Sequence, residues 1–418
     1  MPAGRLALVC GWLVAAAPFL FATAASADES FTARKAITLP GTQKVTSFDI
    51  SFVDPVIGLY LLADRTNKVV HVIDTTTNSV LAELTATPPF AGATPSNDNA
   101  GPDGVLTVNH REIWVGDGPS QIKVIDLFSQ QTTHVISTGG AKRADELCFD
   151  PRDQVVLMAN DAESPFPFVS FVSTQNYSVL KRITMDGTVA SGGKIASPAA
   201  TNGIEQCQWD RRTGKFYVNI PEVNGPGNDT KPGAVVRISP NTMQIDAVYS
   251  LPINQCAGPQ GMTIGPDHQI LLGCNDPNKS VPSTVVIDDR DGHVIKSVAN
   301  EDGADEVWFN EGDSQYFLAN SGGANPQTLG VIDTDGDKGI KADQSVPTGL
   351  PNTTASPHGT AHSVAADPVF NQVYVPIPST AGLTVCSQAG GSDAQGCIAV
   401  FTAAHDDQVA DKDGGKMH

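Results

Sequence analysis

Short apolar runs closed by turn-forming residues recur along most of the chain, and their repetition is the first thing the sequence shows. Each unit opens with an apolar strand ending in Asp, Asn or Gly and often Pro, as at Asp54-Pro55, Asp150-Pro151, Asp210, Gly265-Pro266, Asn310 and Asp367-Pro368. A tight turn leads to a second β-rich strand, at 59–63, 112–115, 155–159, 215–220, 269–273, 315–319 and 372–376. The third strand commonly ends in Ile-Asp, at Ile73-Asp74, Ile125-Asp126, Ile287-Asp288 and Ile332-Asp333, and a fourth follows, as at 79–84 or 293–298. Seven opening strands and four strands per unit predict an all-β chain: a seven-bladed β-propeller of four-stranded antiparallel blades. Residues 361–401 supply only three clear strands, so the β-rich segment 33–39 is expected to close the last blade and remove its exposed edge. The propeller should span 28–402, with a polar, Gly/Asp-rich tail at 403–418 that is predicted to be disordered.

The first residues change the picture. Arg5, an apolar run over 6–22 and the small residues Ala25, Ser26 and Ala27 form an export signal, 1–27, cleaved after Ala27. That run is short for a membrane span of about 20 residues, and no later stretch could cross a bilayer. The expected location is therefore secreted or periplasmic. Cys10 leaves with the signal, and an even set of cysteines remains for disulfides. Cys386 and Cys397 flank a Gly/Ser-rich loop, and Cys256 and Cys274 flank a tight turn, so both pairs are expected to bridge. Cys148 and Cys207 lie in neighbouring inner strands, which allows a bridge without requiring one. With 26 Lys+Arg against 45 Asp+Glu, the net charge of −19 argues against nucleic acid or an anionic membrane as partner.

Val72-Ile73-Asp74-Thr75-Thr76-Thr77-Asn78, and Leu318-Ala319-Asn320-Ser321 followed by Val331-Ile332-Asp333-Thr334, resemble the YVTN-type seven-bladed propellers of exported bacterial proteins. The resemblance covers most of the mature chain. Its motifs form blade turns, so it implies the fold and no particular chemistry.

Candidate chemistry comes from one register. Reading back about five positions from the residue that closes each inner strand returns Asp49, Asp145, Glu205, Gln260, Asp305 and His362. The second blade joins them if its inner strand is one residue longer, because Pro102-Asp103-Gly104 then matches Pro259-Gln260-Gly261 and supplies Asp103. Inner strands surround the propeller axis, so these side chains should converge on one mouth of the central channel. Like charges held so close raise one another's pKa or call for a cation. Asp49, Asp103, Asp145, Glu205, Asp305 and His362 are the candidate ligands of a divalent ion, with Ca²⁺, Mg²⁺, Mn²⁺ or Zn²⁺ all admissible. A hydrated polar channel is the competing explanation.

Gln260, Glu146, Glu306 and His358 are candidate substrate-facing or supporting residues, with Glu146 and Glu306 alternating to the other side of the strand. His110 falls at the opposite face and reads as structural. Asp64, Asp117, Asn160 and Asn320 recur where second strands end, either as a polar rim around the same mouth or as turn starters.

At Asp103, Asp145, Glu205 and Asp305 the chain is similar to gluconolactonase and SMP-30-like propellers, in which single acidic and amide residues at this register hold a divalent ion. That likeness implies metal-dependent hydrolysis or elimination on a small molecule, with His362 moving the proton. The alternative is a non-catalytic exported binding or scaffold propeller, with a protein partner and a structural cation or hydrated channel. A quinone-dependent electron-transfer propeller is disfavoured, since the chain has only four Trp, one of them in the signal.

Overall fold

The computed structural model describes residues 30–404, except 42, 276–283, 300–302, 322–324 and 335–338. The export signal and residues 405–418 of the tail lie outside the described residues. Seven four-stranded antiparallel sheets follow one another around a ring, six of them built from consecutive strands. Their inner strands include Ser51–Asp54, Val105–Val108, Leu147–Asp150, Cys207–Asp210, Pro259–Ile264, Ala304–Asn310 and Ala365–Asp367. The seventh blade is closed from the other end of the chain. Phe31–Ile37 pairs antiparallel with Cys397–Ala403, from Phe31 opposite Ala403 to Ile37 opposite Ile398. The closing strand begins two residues before the expected segment, and the last strand runs to Ala403, one residue beyond the expected edge of the propeller.

The strands form where the pattern put them because each second strand is apolar on both faces and lies between neighbours. Leu59–Asp64 and Val155–Asn160 are buried throughout. The core consists of interfaces between blades: Leu157 and Phe171 of the third pack with Phe216 and Val236 of the fourth. Buried tyrosine hydroxyls tie blades together. Tyr217 donates to the Asp289 carbonyl (3.0 Å), Tyr316 to Gln269 (2.9 Å) and Tyr374 to Asn78 (2.7 Å).

The second blade departs from the sequence reading in one respect. Val108 pairs with Glu112, whereas Asp54 pairs with Leu59, so the turn is one residue shorter and the inner strand is not longer. Asp103 still falls in the common register, because its amide donates to Gly116 as that of Asp49 does to Ala63. Gly104 lets blades two and three approach, since a Cβ there would meet the Asp145 carbonyl oxygen at 2.1 Å.

Three disulfides are formed, Cys148–Cys207, Cys256–Cys274 and Cys386–Cys397. Such bonds persist in an oxidising, extracellular-type environment. Cys386 sits in a one-turn helix, Val385–Gln388. Among the described residues, no helix is long and apolar enough to cross a membrane.

Candidate axial site

The inner strands of blades one to six begin with a β-bulge at the same level. The Asp49 amide donates to Ala63 O at 2.9 Å and the Ala63 amide donates to Ile50 O at 3.1 Å, so two inner residues face one outer residue. Asp145 and Glu146 face Ala159 in the same way (2.8 and 2.7 Å), as do Glu205 and Gln206 facing Asn219 (3.0 and 3.4 Å). Blades five and six shift register at the matching place, between Pro259 and Met262 and between Ala304 and Glu306. A bulge suspends the two-residue alternation of a strand. Glu146 and Glu306 are therefore not turned away from the channel, as alternation predicted, but line its polar cavity together.

Asp49, Asp145, Glu205, Gln260, Asp305 and His362 line one polar cavity of about 470 Å³, with Glu146 and Glu306 deeper and His358 at its rim. Asp103 is fully buried beside them. Asp49, Asp103 and Asp145 each bring a carboxylate oxygen within 4.8 Å of the other two. Glu205, Asp305 and His362 share the cavity without joining that close trio.

Two arginines, neither of them in the sequence reading, enter the acidic ring. The Arg65 Nη2 lies 2.6 Å from Asp49 Oδ2 and 2.5 Å from Asp103 Oδ1, and its Nε donates to Asp103 Oδ1 at 2.8 Å. The Arg143 Nη2 reaches Asp145 (2.7 Å) and Asp161 (2.8 Å). Arg65 follows the second strand of blade one and Arg143 precedes blade three, so neither belongs to the repeating register. The surplus of converging acids was the available signal, because buried charge demands a counter-charge.

Burial pushes the carboxyls of Asp103 and Asp145 well above the usual range, and the guanidiniums oppose this without reversing it. Glu205 and Asp305 are raised by the same cause. For Asp49 burial pulls upward too, yet Arg65, His362 and Arg143 together hold it below the ordinary aspartate value. Glu146 and Glu306 are both raised, first by burial.

His362 stacks on Phe48, centroids 5.1 Å apart and planes at 11°. Its Nδ1 lies 3.2 Å from the Thr360 carbonyl, which can only accept, so Nδ1 carries a proton toward it. Nε2 is then left facing Asp49 Oδ1 at 3.5 Å. Burial favours the neutral ring, but the Asp49 bond and the charges of Asp305 and Asp49 raise its pKa above the free value. This imidazole can hold a proton near neutral pH and release it into the cavity.

The remaining expectations separate cleanly. His358 is held by Thr380 O and Ser356, both at 3.2 Å. His110 bonds Asp54 at 2.8 Å on the opposite face. Asp64, Asp117, Asn160 and Asn320 turn into the blades rather than forming a rim. Asp64 accepts from the Asn67 amide (3.1 Å) and pairs with buried His71 (2.9 Å), while Asp117 pairs with buried Lys123 at 2.6 Å. Asn160 donates to Ser120 and Asn320 to Thr328, both at 3.0 Å.

A ring of bulged strands presenting ionisable groups at one mouth defines a β-propeller with an axial polar site. No protein-family model and no curated protein matches the sequence. Among solved structures, a chain of a mitotic checkpoint complex is 12% identical with a TM-score of 0.60, over 97% of this chain and 100% of its own. A chain of Kuenenia stuttgartiensis hydrazine synthase is 12% identical with a TM-score of 0.59, over 82% and 95%. These likenesses establish the propeller fold alone, and neither resemblance named from the sequence gains a family match.

Proposed function

We propose that this chain is an exported propeller that binds a divalent cation at the axial mouth and acts on a small molecule there, by hydrolysis or elimination of the lactonase type. The observation that carries the reading is the close trio Asp49, Asp103 and Asp145, in which Asp103 Oδ2 and Asp145 Oδ1 are buried without a hydrogen-bond partner. Orphaned carboxylate oxygens are costly unless protonated or bound to a cation. Hard oxygen donors fit Ca²⁺, Mg²⁺ or Mn²⁺ better than Zn²⁺. Asp49, Asp103 and Asp145 would hold the ion, and its chemistry would be to polarise a carbonyl oxygen of the substrate. His362 would move the proton, oriented by Thr360 and charged through Asp49. Glu205, Gln260 and Asp305 would orient the substrate within the polar cavity.

A second reading rests on the arginines. Arg65 and Arg143 already neutralise part of the ring, and a propeller whose acids are balanced by guanidiniums needs no metal to be stable. It would then be a non-catalytic binding protein. The experiment is metal analysis of the purified protein together with thermal melts in chelator and in added Ca²⁺, Mg²⁺ and Mn²⁺. The metal reading expects one ion per chain, lost in Asp103→Asn/Asp145→Asn, and a melt raised by roughly 2.7 kcal/mol of linkage at a hundredfold excess over Kd. No ion, and a melt indifferent to chelator and to every added cation, would leave the arginine-balanced reading.

A further inference from the structure

The opposite mouth of the channel holds a second cavity, of about 500 Å³, within the size range of small-molecule sites. Its walls are Phe52, Phe149, Trp209 and Trp308, and Phe52 meets the Trp308 indole edge to face with centroids 5.7 Å apart. The Cys148–Cys207 bond ties the inner strands of blades three and four on one side of it, fixing the wall that carries Phe149 and Trp209. Glu146, the residue that meets Glu306 in the channel, also borders this funnel. Among the described residues, no Lys or Arg lines it. The one other group there able to carry positive charge is His110, whose ring is engaged by Asp54.

We infer that this funnel binds an organic ammonium cation attached to a flat apolar body. Indole and phenyl faces attract a weakly hydrated cation through their quadrupoles, and they attract a flat hydrocarbon through burial. The carboxyl lining and the chain's net charge of −19 favour a cation, and among the described residues no lining ammonium or guanidinium repels it. Arg211 and Arg212 line an adjoining cavity that shares Trp209 and Trp308, and an anionic ligand would have to reach past these walls to meet them. The funnel shares Glu146 with the axial cavity but none of Asp49, Asp103 and Asp145, so the inference does not require a metal at the other mouth.

The chain supplies its own reporter, since Trp209 and Trp308 line the funnel and Trp114 is fully buried elsewhere. Tryptophan fluorescence of the purified protein would be titrated with benzyltrimethylammonium and with its uncharged isostere, neopentylbenzene. The expected result is saturable quenching by the cation and roughly tenfold weaker binding of the isostere. Trp308→Phe should reduce the amplitude. The charge comparison uses the unaltered protein and does not depend on any variant folding. Equal affinity for the two probes, or no saturable quenching by the cation, overturns the inference.

Discussion

The two mouths of the channel are built by the same inner strands a few residues apart, yet they have opposite chemistry. At one, Asp49, Asp103, Asp145, Glu205 and Asp305 gather around Arg65 and Arg143. At the other, Phe52, Phe149, Trp209 and Trp308 enclose an apolar funnel that no Lys or Arg lines among the described residues. The difference lies in the backbone. Where the inner strands of blades one to six begin, the bulge frees side chains from the pleat and aims consecutive residues at the channel. Where the strands end, regular alternation returns and aromatic side chains pack between blades and around the axis. The chemistry of this channel changes with height along the strand, acidic at one mouth and aromatic at the other.

That contrast makes the acidic mouth the more fragile. Arg65→Ala should cost about 3–5 kcal/mol in denaturant unfolding, because Asp49 and Asp103 lose the guanidinium that both contact. Trp308→Ala at the half-buried apolar mouth should cost only about 1–3 kcal/mol. A reversed order would break the comparison.

Opening Cys148–Cys207 by Cys→Ala at both positions should cost about 2–4 kcal/mol, since it closes a loop over a separation of 59 residues. It should also blunt any ligand response at the apolar mouth more than at the acidic one, which titration of the variant can read.

The pH dependence comes next in size. Asp103, Asp145, Glu146, Glu205, Asp305 and Glu306 have raised native pKa values, so their stabilising contribution is present at low pH and is lost as pH rises through those values. His362, also raised, contributes below about 6.5 and loses its part as pH rises through its native value. Asp49 opposes them: its contribution is present above the ordinary aspartate range and lost as pH falls through its lowered value. In chelator the melting temperature should therefore climb by roughly 2–4 °C on acidification from about pH 8 to about pH 6. Saturating Ca²⁺ should flatten or invert that slope if the trio binds it, since protons and metal then compete.

The smallest change in stability is expected for His362→Gln, within about 1 kcal/mol, because Asp49 keeps Arg65. Under the proposed function the same variant loses turnover on small lactones and esters. Full activity with retained folding would remove His362 as the proton carrier.

Much of this was legible in the chain. The closing Asp, Asn and Gly of the inner strands, the Ile-Asp ends of the third strands and the spare strand at the N-terminus set seven blades and their closure, because turn chemistry and strand patterning act locally. The same repeat carried Asp49, Asp103, Asp145, Glu205, Gln260, Asp305 and His362 to one level. Arg65 and Arg143 were not legible, since each comes from outside the repeating register and meets its acids only once the ring closes. The meeting of Glu146 with Glu306 depended on bulges that no two-residue period announces. The aromatic funnel brings together Phe52, Phe149, Trp209 and Trp308 from four blades, and the Cys148–Cys207 bond joins two of them. Sequence fixes which residues share a level, because backbone repeats are local. Only the closed ring decides which charges balance across it, because electrostatic partners are chosen by distance in space.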